Sequence, residues 1–68
     1  HVMRRVRFQG PLEVSVTGTL LVLCHSGGIE IGGASLGPLD CALIADTEKA
    51  ALHSSAASTA FLIDIFRD

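Results

Sequence analysis

The sequence predicts an all-β chain, folded as a small antiparallel barrel or sandwich, and three observations carry that prediction. The apolar run Leu20-Leu21-Val22-Leu23-Cys24 is too short for a useful helix and is stopped by Ser26-Gly27-Gly28. Short segments separated by turn residues follow: Ile29-Glu30-Ile31, Gly32-Gly33, Ala34-Ser35-Leu36 and the turn Gly37-Pro38-Leu39-Asp40. This is the pattern of a β-meander, in which Gly pairs supply the positive φ angles of tight turns. Finally, Leu12–Thr17 and Thr59–Phe66 alternate apolar and polar residues with the two-residue period of a half-buried strand.

Taken in order, Val2–Phe8 reads as an edge strand. Val6 and Phe8 point one way, and Arg5 and Arg7 point outward, where edge charges discourage unwanted pairing. Gly10-Pro11 marks a turn. Leu12, Val14 and Val16 then face inward, with Glu13, Ser15 and Thr17 outward. Gly18 introduces the apolar run, which lacks polar alternation until His25 and is expected to be covered on both faces as the most central strand. Cys41–Ala45 reads as another covered strand. Asp46–Lys49 reads as a polar turn, Ala50–His53 as a strand and Ser54–Ser58 as a small-residue loop. In the last strand Phe61, Ile63 and Ile65 share one face, and Leu62 and Asp64 the other.

With 68 residues the chain reads as one unit, residues 1–68. A domain of this size buries only about 60% of its unfolded surface. Hydrophobic residues make up 49% of it and mean hydropathy is +0.50, with no Trp or Tyr and three Phe. So much aliphatic surface on so small a chain points to self-association. No run approaches membrane-spanning length and no secretory signal is visible, so the expected location is cytoplasmic. Cys24 and Cys41 each lie in an apolar run, which favours two reduced core thiols over a disulfide. Three arginines crowd the start, at Arg4, Arg5 and Arg7, with Asp64 and Asp68 near the end. Without an aromatic platform or a recognition helix they do not indicate nucleic acid.

The candidate chemical groups are few. The Gly pairs lie between strands with no following helix, so they read as turns and not as a phosphate loop. His25 and His53, with Asp40, Glu48 or a cysteine, lack the short spacings of a metal site, so no metal or cofactor is expected. Cys24 and His25 are strand neighbours pointing to opposite faces and cannot act as a nucleophile–base pair. Asp64 interrupts the apolar run Phe61–Phe66 and must face solvent, a cavity or a partner.

Leu36-Gly37-Pro38-Leu39-Asp40-Cys41-Ala42-Leu43-Ile44 resembles the middle of a cupin, where a Gly/Pro/Asp turn precedes a barrel strand. Met3-Arg4-Arg5, followed by a strand, resembles the Asn-x-Met-x-Arg-Arg segment joining the two barrels of the HutD/Ves family of histidine-utilisation cupins. The chain then corresponds to the second barrel, a jelly-roll half of a two-barrel architecture. The family's Asn would fall at His1, and the metal-binding cupin signature is absent, as it is in the family. The resemblance implies a non-catalytic, regulatory module for a small acidic metabolite such as formylglutamate. Arg4 and Arg5 match the motif and become the candidate ligand-binding residues, since arginine holds a carboxylate bidentately. The alternatives are a structural or interaction protein that assembles through its apolar sheet face, and a metal-dependent cupin enzyme. The expected partner is a second copy in a homodimer, with strand exchange as one route. Val6, Phe8, Phe61, Ile63 and Ile65 are the expected interface.

Overall fold

A computed structural model describes residues 2–65 of the protein; Phe66 and Asp68, counted above, and His1 lie outside the described residues. All regular structure among them is antiparallel strand: β1 (Val2–Ser15), β2 (Thr19–Ser26), β3 (Ile29–Ile31), β4 (Ala34–Leu36), β5 (Cys41–Ala45) and β6 (Lys49–Ile65). The six form one curled sheet, a half-barrel, and the all-β antiparallel expectation holds. No helix is long and apolar enough to cross a membrane.

The spine is β6. It pairs along its length with β1, from Val2↔Asp64 to Ser15↔Lys49. On its other side the second half of β6 pairs with β2, and the first half with β3. Strand β5 then adds to β2, and β4 to β3. The meander expectation is thus corrected. Strands β3 and β4 are a hairpin, but β2 and β3 are not neighbours, and Ser26–Gly28 carries the chain from one half of the sheet to the other. The central strand is β6, not β2, because only β6 is long enough to serve both halves.

Two expected interruptions are also absent. Gly10-Pro11 does not end a strand, and Ser54–Ser58 is not a loop. Both lie at the bend of the sheet, where the register moves from Phe8↔Ser58 to Gly10↔Ser54 and leaves extra β6 residues opposite Gln9. Bulges of this kind bend a strand without breaking its pairing. Gly10, at φ +81°, turns β1 through the corner, and Pro11 is tolerated because β1 has an unpaired edge.

The core lies on the inner face and follows the alternation. Val14, Val16, Leu20, Val22, Cys24, Ile29, Leu36, Ala50, Leu52, Ala60 and Leu62 are buried there, with Val6, Phe8, Leu12, Ile31, Ala42 and Ile44 packed around them. Strands β2 and β5 are not covered on both faces as expected. From Thr19 to Cys24 every second residue of β2 is buried and the others are half-buried, His25 is exposed, and in β5 Leu43 is 68% exposed. Among the described residues no second layer lies over their outer face.

At the bend, Ser54 and Ser58 are buried, with their hydroxyls 2.6 Å apart. Ser54 donates to the Gly28 carbonyl at 2.7 Å, and Ser58 Oγ accepts the Gly28 N–H at 3.1 Å. This ties the β2–β3 connection to the corner of β6. Gly27 approaches so closely that a Cβ on it would lie 2.1 Å from Ser58 Oγ and 2.8 Å from Ser58 Cβ.

Gly10 and Gly27 make a controlled pair, since their φ angles are +81° and +85° and only the second lacks space. Gly10→Ala is expected to cost about 1–2 kcal/mol, the left-handed backbone penalty. Gly27→Ala should cost at least that plus about 1–3 kcal/mol for overpacking. Ser58→Ala should not rescue it, because Ser58 Cβ remains in the way. Urea unfolding of the three variants checks the order.

Candidate functional site

The outer face of β1 presents Arg5 and Arg7. They lie two residues apart, hence roughly 7 Å along the strand. Across β6, Arg5 stands opposite Phe61 and Arg7 opposite Thr59. Phe61 in turn faces Leu23 of β2. His25 follows Leu23 onto the same outer face, and because β2 carries one extra residue between Cys24↔Ala60 and Ser26↔Thr59, the bulge brings Ser26 there as well, opposite Thr59. The His25 ring meets Phe61 edge-on, with centroids 5.6 Å apart and planes at 87°.

Arg5, Arg7, His25, Ser26, Thr59 and Phe61 line an open cleft of ≈ 450 Å³. Three of the six are cationic or can become so, two carry hydroxyls, and none is acidic. Ion pairs among the described residues join Arg4 to Asp64, Lys49 to Glu13 and His53 to Glu30. Arg5 and Arg7 have no carboxylate within salt-bridge distance among those residues. Each guanidinium offers a planar fork of donors suited to a carboxylate or phosphate. Chemically, the cleft can hold an anion with an apolar body against Phe61.

The structure separates the two arginines expected to act together. Arg4 stands opposite Leu62, so it lies on the inner face, where its guanidinium is 3.5 Å from Asp64. Arg5 stands on the outer face. Asp64, with its side chain only 14% exposed, is neither on a solvated face nor free: it is the partner of Arg4. The expected interface residues divide in the same way. Val6 and Phe8 pack against the inner core, whereas Phe61, Ile63 and Ile65 belong to the outer face. Arg7, His25, Ser26, Thr59 and Phe61 were missed as a site. The alternation Arg5-x-Arg7 places both arginines on one face and Leu23-x-His25 places His25 outward, but the bulge that brings Ser26 to the same face leaves no sequence signal.

The two histidines do not meet. His25 lies in this cleft, while His53 lines a second concavity of ≈ 210 Å³ with Glu30, Ser35 and Leu36. No three His, Cys, Asp or Glu side chains cluster as a metal site among the described residues. No family model, curated protein or solved structure matches the chain.

The cysteines are free and differ from the expectation of two core thiols: Cys24 is buried and Cys41 exposed. They occupy opposite faces, because Cys41 pairs with Leu23 and not with Cys24. Burial pushes the Cys24 thiol above its ordinary pKa, and the nearby Asp40 carboxylate adds to the shift. A thiol held protonated and buried is a poor nucleophile. An aromatic disulfide reagent should therefore titrate one thiol per native chain and two after unfolding. Cys41→Ser should abolish the native reaction; a residual fast thiol would contradict the buried position of Cys24.

Proposed function

We propose that the chain is a non-catalytic binding module for a small acidic metabolite, held in the outer cleft by Arg5 and Arg7. The observation carrying this reading is the pair of arginines beside His25 that, among the described residues, have no acidic partners and share a cleft with no carboxylate. Two guanidinium groups carried by positions about 7 Å apart along the strand suit a ligand bearing two anionic groups. Ser26 and Thr59 offer hydroxyls for its polar middle, and Phe61 offers an apolar wall. A compound of the formylglutamate type has this character, and it is the ligand class implied by the resemblance to HutD-type cupins. In that case ligand occupancy, not turnover, is the output, and the module is regulatory.

A second reading has its own observation. Met3, Ile63, Leu21 and Leu43 form an apolar row across four strands of the outer face, as a structural or interaction protein would present.

Calorimetric titration with formylglutamate, glutamate and urocanate tests the first reading, with binding expected for the dicarboxylates in preference to urocanate. A hydrogen bond to a charged group contributes about 1.5–3 kcal/mol, so Arg7→Gln or Arg5→Gln should weaken binding by roughly 10-fold or more. Arg4→Gln, on the opposite face, should leave it unchanged. Equal losses from all three would show a diffuse charge effect and sink the cleft assignment.

A further inference from the structure

Strand β1 pairs with β6 along one edge, and no strand among the described residues lies on its other edge. From Val2 to Phe8 every second residue therefore turns its main-chain N–H and C=O away from β6, without a ladder partner. An open edge of this kind is a template for one more strand. Past the corner Pro11 has no N–H to give, so the stretch able to receive a strand is Val2–Phe8.

The two faces of that stretch set what can lie beside it. On the inner face Val6 and Phe8 pack against the core but stay half-buried beside the open edge. On the outer face Arg5 and Arg7 are exposed, with no carboxylate in salt-bridge distance among the described residues. A strand laid antiparallel along the edge places one side chain directly opposite each of these residues, with Cβ atoms about 4.5–5.5 Å apart. Apolar side chains opposite Val6 and Phe8 extend the core. Carboxylates opposite Arg5 and Arg7 give each guanidinium fork the partner it lacks. The strand that fits carries two acidic residues two positions apart, alternating with apolar ones.

The same charges argue against a second copy of the chain as that strand. Two β1 strands paired antiparallel over Val2–Phe8 would set Arg4, Arg5 and Arg7 of one copy against those of the other. Glu13, the only carboxylate of β1, lies past the corner and pairs with Lys49. Strands β4 and β5, which also have an open edge, carry no carboxylate.

We propose that the Val2–Phe8 edge is a docking site for an extended acidic–apolar segment of another protein, which joins the sheet as a further strand beside β1. Main-chain hydrogen bonds supply the attachment and the side chains supply the selectivity. Register is fixed by the two arginines, because a slip of one residue turns the carboxylates to the inner face and a slip of two leaves one arginine unpaired. The site does not depend on the cleft holding a metabolite, although a segment on the edge and an anion in the cleft would compete for Arg5 and Arg7.

Fluorescence anisotropy with labelled peptides and the intact chain tests this. Val-Glu-Val-Glu-Val-Glu-Val should bind with a Kd below roughly 1 mM, and the same peptide with lysine in place of glutamate should not. Arg5→Gln and Arg7→Gln should each weaken binding by roughly 10-fold. Two further versions, N-methylated on the glutamates or on the valines, keep every charge. A strand directs alternate N–H groups to its two edges, so one version should lose roughly 10-fold or more and the other should bind like the parent. No binding of the parent peptide, equal binding of the lysine peptide, or equal affinities for the two methylated peptides overturns the proposal. Formylglutamate takes no part in these titrations, so the partner of the edge and the ligand of the cleft are tested apart.

Discussion

The fold depends on a pair of buried hydroxyls. A strand that bends through a corner leaves main-chain groups without ladder partners, and in a buried corner each must find another. Ser54 and Ser58 supply them within β6. Between them they offer two protons and several lone pairs, and around them lie the Gly28 N–H, the Gly28 carbonyl and the Ala56 carbonyl. Among the described residues no buried side-chain polar atom is left unpaired. The set is compact enough to bury because serine is small, and it fits under the β2–β3 connection because Gly27 has no side chain. Replace this cluster with bulk and β6 could not serve both halves of the sheet.

That single bent strand also decides what the two faces become. The inner face is concave and filled by aliphatic residues from both halves, with Ser54 and Ser58 at its corner. The outer face is not forced to be polar, because the curl leaves it free to meet something else. Strict alternation along β1 then sorts its arginines. Arg4 goes inward to Asp64, while Arg5 and Arg7 go outward to the cleft. A neutralised cation and two without acidic partners among the described residues thus come from the four residues Arg4–Arg7.

Much of this was legible in the sequence, and the failures share one cause. The all-β class, the Ile29–Leu36 hairpin, the inward faces of Leu12–Val16 and the polar turn at Asp46–Lys49 all follow from periodicity and turn residues. Gly10-Pro11 and Ser54–Ser58 misled because residues that favour turns also favour bulges, and local composition does not distinguish a chain reversal from a bend in a paired strand. The β2–β3 connection misled similarly, since a Gly pair says that the chain turns and not which strand receives it. At the cleft, the face of Arg5 and Arg7 was readable from their spacing. His25 was readable too, since it faces opposite to the inward Cys24; Ser26 was not, because a one-residue bulge shifts the facing of the residue after it in a way that depends on the partner strand.

The β1–β6 ladder sets the order in which the chain must assemble. Arg4 meets Asp64 across a separation of 60 residues, and every strand between them is held, directly or through a neighbour, by β6. The β3–β4 hairpin can form locally. The rest requires a large loop to close before its contacts can offset the lost chain entropy. Proteins built this way fold slowly, on the millisecond-to-second scale, for their size. Until closure, the apolar residues of β2 remain open to encounter with another chain. The same topology that brings distant arginines and aspartates together makes the interval before closure the vulnerable stage in the life of this molecule.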